Sequence, residues 1–173
     1  MYKSALALLS LLALPGCVVM QPDPTLEAVK LISVAITGVA SMSPNPAQNT
    51  ITHPHEPFKD ICIEWNRNVA VADFVPALQG ELLRHGIASR VYEAGMQPPG
   101  CGAELDYAAF QQWEKRTFAD DYSSYLSYAA LTLRKNGTVL ASANYEMGVM
   151  GYDKWAPTRK KLAPLVDAML AGN

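Results

Sequence analysis

The dipeptide Asn136-Gly137 constrains the fold of this chain more than any other feature of its sequence. It separates two runs with strand composition: the first begins at Tyr122 or Tyr125 and ends at Arg134, and the second is Thr138–Glu146. Both central residues of a type I′ turn need a positive φ, which asparagine and glycine tolerate best. The sequence therefore predicts a β-hairpin closed by this dipeptide.

A two-residue turn also fixes which residues face each other along the hairpin. Starting from Lys135 opposite Thr138, the register predicts the pairs Arg134–Val139, Thr132–Ala141, Ala130–Ala143 and Tyr128–Tyr145. Small residues beside tyrosines suit close helix packing, so we expect helices to cover this Ala/Tyr face. The other face, with Ser127, Ser142 and Asn144, is expected to be partly open to solvent or to a partner.

The remaining strands and helices are predicted from the spacing of apolar residues and from glycine and proline, which end helices and strands. Strands are predicted at residues 59–65, 87–92 and 105–113, and helices at residues 73–85 and 157–170. The order β-α-β-β-β-α indicates an α+β fold, with a single mixed, mostly antiparallel sheet of about five strands and both helices on one face. The helical crossover makes the first two strands parallel. This globular domain is expected to span residues 58–173.

The N-terminus has the order of a secretory signal. Lys3 precedes an apolar run at residues 5–14, and Gly16-Cys17 provides a small residue followed by cysteine. A run of about ten residues is too short to cross a bilayer as a helix. We predict a signal peptide at residues 1–16, against the alternatives of a plain secreted protein and an uncleaved anchor.

Leu14-Pro15-Gly16-Cys17 resembles a bacterial lipobox, in which the cysteine thiol receives diacylglycerol and becomes the new N-terminus. Pro15 departs from the pattern, since Ala, Ser, Thr or Val is usual there. The resemblance implies lipidation of Cys17, with palmitate completing the lipid anchor. Val18 follows where Asp would favour the inner membrane, which implies an outer-membrane lipoprotein facing the periplasm.

Residues 17–57 are expected to form a tether. Residues 25–40 have the composition of one helix, and because its apolar positions lie nearly all round it, three locations stay open. The helix either docks on the domain, lies on lipid, or is buried in a partner. Residues 41–57 contain Pro44, Pro46, Pro54 and Pro57 among polar residues, which is the composition of a linker.

The three cysteines are expected to have two different roles. With Cys17 lipidated, Cys62 and Cys101 remain as an even pair in an oxidising compartment. We predict a disulfide between them that closes a loop of about 40 residues, the alternative being two free buried thiols.

The sequence offers little chemistry. With 14 basic and 16 acidic side chains, it gives no electrostatic case for nucleic acid. No nucleophile elbow, phosphate-binding glycine loop or zinc-protease motif occurs, so we predict a protein without enzymatic activity or cofactor. His53, His55 and Cys62 lack a fourth partner for a metal, and we expect no metal site.

Two groups of residues are candidates for partner binding. Tyr122 and Tyr125 are expected to be an exposed pair beside the acidic loop residues Asp120 and Asp121. Positive charges collect at the start of the last helix, where they oppose its dipole, at Lys154, Arg159, Lys160 and Lys161. The ordinary interpretation of the tyrosines is packing in a half-buried strand, and that of the basic residues is a solvated turn.

In architecture, residues 17–173 resemble small α+β domains of bacterial envelope lipoproteins, such as the activators of penicillin-binding proteins and domains similar to the N-terminal domain of TolB. That resemblance rests on the lipobox and the element order. It implies a non-enzymatic adaptor that contacts another envelope protein. The alternative is a binding module for lipid, glycan or peptidoglycan, which a deep apolar pocket would favour.

Overall fold

The computed structural model describes residues 45–172. The predicted signal peptide, Cys17 and the helix at residues 25–40 lie outside these residues. Among the described residues, no helix is both long and apolar enough to span a bilayer.

Six strands and two helices make up the described part of the chain. They are β1 (Gln48–Thr52), β2 (Asp60–Trp65), α1 (Phe74–Arg84), β3 (Ala88–Glu93), β4 (Glu104–Lys115), β5 (Tyr122–Lys135), β6 (Thr138–Glu146) and α2 (Thr158–Leu170). The strands form one mixed sheet in the order β1-β6-β5-β4-β2-β3. The α+β class is therefore confirmed, and the sheet has one strand more than predicted.

The additional strand, β1, comes from the segment predicted to be a linker. It pairs antiparallel with β6, placing Ile51 opposite Ser142, and the His53 amide then donates to the Leu140 carbonyl at 2.8 Å. The prolines of this segment flank the strand and do not interrupt it, which is where a sheet edge tolerates them. The expectation of a linker is thus wrong for Gln48–Thr52.

The predicted strand directions are confirmed. β2 and β3 are parallel and joined by α1, while β4, β5 and β6 form antiparallel neighbours. β2 also runs parallel to β4, which puts β2 between β3 and β4.

The hairpin turn is confirmed, but the predicted register holds only beside it. Asn136 and Gly137 have φ values of 51° and 77°, and Lys135 faces Thr138. A bulge between Leu133 and Arg134 shifts the pairing farther from the turn, so that Leu133 faces Ala141 and Thr132 faces Ser142. The predicted pairs Thr132–Ala141, Ala130–Ala143 and Tyr128–Tyr145 are each wrong by one residue.

The bulge decides which side chains are buried. It places Leu131 and Leu133 of β5 on the same face as Ala141, Ala143 and Tyr145 of β6, and all five are at most 3% exposed. If the pairing had continued from the turn without a bulge, Leu131 and Leu133 would have faced away from these residues of β6. The one-residue shift therefore buries the larger apolar side chains of β5.

Both helices pack against this face and against each other. The core combines Leu78 and Leu82 of α1 with Leu162 and Leu165 of α2, and all four are fully buried. Glu81, 3% exposed, lies between the helices and accepts hydrogen bonds from Arg159 at 2.6 Å and from Arg84 at 2.7 Å. Burial alone would raise the pKa of Glu81, but these two guanidinium groups hold it below its usual value.

The predicted disulfide is confirmed. Cys62 in β2 is bonded to Cys101, with the Cα atoms 5.7 Å apart, and the bond joins an interior strand of the sheet to the loop before β4. Cys62 is fully buried, and Cys101 is half-buried.

Reducing this bond should weaken the fold. The two cysteines are 39 residues apart, and a loop of that length predicts a loss of about 3–4 kcal/mol on the chain-entropy account. Urea unfolding of the wild type with and without dithiothreitol, and of the double variant Cys62→Ser/Cys101→Ser, measures it. The double variant should match the reduced wild type. Equal unfolding free energies for oxidised and reduced wild type would contradict the prediction.

Candidate functional site

The β4–β5 hairpin extends beyond the strands on either side of it. Pairing between β2 and β4 ends at Leu105, and pairing between β5 and β6 ends where Tyr128 faces Glu146. In the described chain, the part of the hairpin at residues 111–126 is therefore paired only with itself. The loop at residues 147–157, between β6 and α2, lies beside it, and we call the two segments together the hairpin end.

Large apolar side chains are exposed at the hairpin end. Phe118 and Val149 are fully exposed, and Met150 is 72% exposed. Phe118 has a φ of 66°, which turns the chain sharply at that point. We call these three residues the apolar tips; they come from two separate loops at the same end of the sheet.

A surface cleft of about 500 Å³ opens at the same end, between the hairpin, the loop before α1 and the start of α2. Its walls carry the rings of Trp113, Tyr125 and Trp155, the cations Arg116 and Lys154, and the carboxylate of Asp73. We call it the aromatic cleft. Trp113 is 61% exposed, so most of its indole surface is available to a ligand.

The rings and cations of the cleft contact each other. Tyr125 and Trp155 meet edge to face, with their ring centroids 5.3 Å apart. The Arg116 guanidinium lies 4.7 Å from the Trp155 ring, and the Lys154 ammonium lies 4.7 Å from the Tyr125 ring. These distances are typical of cation–π contacts, which hold both cations against the cleft wall.

The two cations differ in their ion pairs. Lys154 is bonded to the Glu114 carboxylate, and that bond raises the pKa of its ammonium. No carboxylate within residues 45–172 forms an ion pair with Arg116. Asp73 accepts a hydrogen bond from the Thr158 hydroxyl at 3.0 Å. Of the two cations, Arg116 is thus the one whose guanidinium N–H groups can donate to a ligand.

The predicted exposed pair of tyrosines is half right. Tyr122 is 64% exposed, and Asp120 and Asp121 are exposed beside it. Tyr125 is 8% exposed because its ring packs on Trp155, while its hydroxyl donates to Gln112 Oε1 at 2.8 Å. The expectation of exposure is wrong for Tyr125, and partner binding by this group stays a prediction.

The predicted basic patch is not one surface. Lys160 is exposed, but Arg159 is bonded to Glu81 of α1. Lys161 is fully buried: its ammonium donates to the Leu126 carbonyl at 2.7 Å and to the Lys154 carbonyl at 2.8 Å. Lys161 therefore ties β5 to the β6–α2 loop behind the aromatic cleft, and its presence on an exposed patch is a wrong expectation.

Burial lowers the pKa of Lys161 to about 8, although the charge of Asp153 acts in the opposite direction. Asp153 is itself 1% exposed, and its Oδ2 accepts from the Asn45 amide at 3.1 Å. The ring of Tyr145 lies 5.3 Å from the Lys161 ammonium. The β6–α2 loop is thus bonded to and packed on buried polar groups: the Lys161 ammonium, the Asp153 carboxylate and the Tyr145 phenol.

The residues that the sequence did not indicate are Trp113, Arg116 and Trp155. Trp113 and Arg116 lie at the end of β4, whereas Trp155 follows about 40 residues later in a loop. No local pattern connects these positions, and only the extension of the hairpin beyond its neighbours brings them together.

Other polar groups do not assemble a recognisable centre. Among residues 45–172, no cluster of three histidine, cysteine or acidic side chains could hold a metal ion, and Cys62 is committed to the disulfide. Glu64 and Asp106 line a second cavity of about 380 Å³. Asp106 pairs with Arg134 at 2.9 Å, and Glu64 accepts from the Tyr92 hydroxyl at 3.4 Å.

Comparisons with known proteins add one structural likeness. No model of a protein family matches this chain, and no curated protein matches it. Among solved structures, it is similar to a PelC dodecamer from Paraburkholderia phytofirmans, at 17% identity and a TM-score of 0.43 over 67% of this chain and 95% of that one. The resemblance to envelope lipoproteins stays a prediction.

The buried ammonium of Lys161 predicts that stability rises at alkaline pH. Its pKa is about 8 in the folded protein against a usual 10.5, so between these values the unfolded chain binds more protons. A rise in pH then favours the folded state. Urea titrations at pH 7, 8 and 9 should show the unfolding free energy of the wild type increasing relative to Lys161→Met, which has no group to titrate there. Parallel pH profiles for the two proteins would contradict this assignment.

Proposed function

We propose that this protein is a non-enzymatic, outer-membrane lipoprotein that acts as an adaptor for a cell-envelope protein complex. The observation that carries the proposal is the pair of apolar loops at the hairpin end, where Phe118 and Val149 are fully exposed. Exposed apolar groups that cluster at one place mark an interaction surface more often than isolated ones do.

The arrangement of the core also favours an adaptor over a lipid-binding module. Side chains such as Leu131, Leu162 and Leu165 fill the space between sheet and helices and are fully buried. Four cavities of the described chain, of about 250–500 Å³, open at its surface and have mixed linings. A protein that encloses an acyl chain would need apolar volume between these layers.

Val149 and Met150 of the apolar tips suit a protein partner because the loop that carries them is bonded to the domain on both sides. The Met147 amide donates to the Ser127 carbonyl at 3.0 Å, and Lys161 holds the Lys154 carbonyl. Side chains on a loop held at both ends lose less conformational freedom when a partner binds them. The lipid on Cys17 would keep this surface near the membrane that carries the partner complex.

Replacement of Cys17 tests the anchor. Cys17→Ser should move the protein from the outer-membrane fraction to the soluble periplasm, because the residue can no longer receive diacylglycerol. Fractionation followed by immunoblotting measures the change, and Cys101→Ser is the control that alters a cysteine without touching the lipobox. Retention of Cys17→Ser in the outer-membrane pellet would contradict the proposed anchoring.

Site-specific photo-crosslinking in cells tests the docking surface. A photoreactive phenylalanine analogue at position 118 or 150 should crosslink to the same envelope protein. The control is position 83, since Leu83 is 70% exposed at the far end of α1. Crosslinks of equal yield from position 83, or crosslinks from the tips to lipid alone, would exclude protein docking at the hairpin end.

A further inference from the structure

We propose that the aromatic cleft binds an acidic glycan, whose sugar ring lies against Trp113 and whose carboxylate is bound by Arg116, the cation that rests on Trp155. This ligand is separate from the protein partner proposed above. The cleft and the apolar tips share the hairpin end, but they use different side chains.

The rings favour a sugar. A pyranose presents an apolar face of C–H groups that lies flat on an indole, while its hydroxyls point outward to polar groups. The cleft offers both, because Trp113 is exposed and Gln111, Ser124 and Asp73 stand around the rings. Its volume of about 500 Å³ falls within the range of about 300–1,000 Å³ that small-ligand sites occupy.

The charges favour a carboxylate on that sugar. The Lys154 ammonium is already paired with Glu114, whereas Arg116 has its cation–π contact and no carboxylate partner within the described chain. A guanidinium lying on an indole can still direct its N–H groups along the ring plane, where a carboxylate accepts two of them. Asp73 is held by the Thr158 hydroxyl and can accept from sugar hydroxyls.

The cleft is formed before any ligand arrives. Buried Lys161 joins the carbonyls of Leu126 and Lys154, which both line the cleft. The Tyr125 hydroxyl is bonded to Gln112, which fixes the ring against Trp155. Because the walls are fixed, binding does not have to order them, and a ligand of moderate size can bind with useful affinity.

Titration of the purified, full-length protein in detergent tests the inference. Hexagalacturonate is the acidic probe and cellohexaose the neutral one, and both are followed by calorimetry and by tryptophan fluorescence. We expect hexagalacturonate to bind about tenfold more tightly than cellohexaose, since a charge-assisted contact typically supplies that ratio. Arg116→Gln should remove the difference between the two sugars, and Trp113→Ala should weaken both about tenfold.

Matched variants outside the cleft provide the controls. Trp65 is 40% exposed, and the side chain of Arg67 is 80% exposed, and neither lines the aromatic cleft. Trp65→Ala and Arg67→Gln should bind both sugars as the wild type does. Urea unfolding of each variant checks that it is folded. Arg116→Gln changes only a surface group, so the test remains valid even if Trp113→Ala does not fold.

Three results would overturn the proposal. The first is no saturable binding of hexagalacturonate, and the second is equal loss of binding in Trp65→Ala or Arg67→Gln. The third is binding of hexaglutamate as tightly as hexagalacturonate, which would show that the cleft recognises acidic peptide and not sugar. The titration contains no partner protein. A failure to bind sugar would therefore not affect the crosslinking test of the apolar tips.

Discussion

The difference in length between the β4–β5 hairpin and the strands beside it determines most of what this domain presents to its surroundings. β5 has 14 residues, and its C-terminal half lies under the helices while its N-terminal half continues past the end of β6. The buried half contributes Leu131 and Leu133 to the core. That burial holds the protruding N-terminal half in place, so one continuous strand serves both the core and the site.

A buried cation completes the connection between core and site. Without the carbonyls of Leu126 and Lys154, the Lys161 ammonium could not be buried in an apolar interior, since an uncompensated charge there costs several kcal/mol. The same two contacts fix the distance between the hairpin and the β6–α2 loop. The side chain that packs α2 on the sheet therefore also holds the cleft in place.

The sequence predicted those features that depend on local chemistry. Asn136-Gly137 predicted the turn, and the parity of the cysteines predicted the disulfide. Lys161 had a usable pattern that its charge obscured: Lys161, Leu162, Leu165, Val166 and Met169 repeat at helical spacing and are all buried. The bulge between Leu133 and Arg134 and the shared cleft of Trp113 and Trp155 depend on how the folded segments pack, which no local window contains.

The β6–α2 loop carries part of each proposed surface, with Met150 in the apolar tips and Trp155 in the aromatic cleft. Asp153 lies between them and is anchored by the Asn45 amide, so the two surfaces are fixed relative to each other. Asn45 also precedes β1, at the point where the described chain begins. The start of the described chain is thus bonded to the loop that supports both surfaces: the Asn45 amide donates to Asp153, and the Asn45 side chain donates to the Glu146 carbonyl at the end of β6.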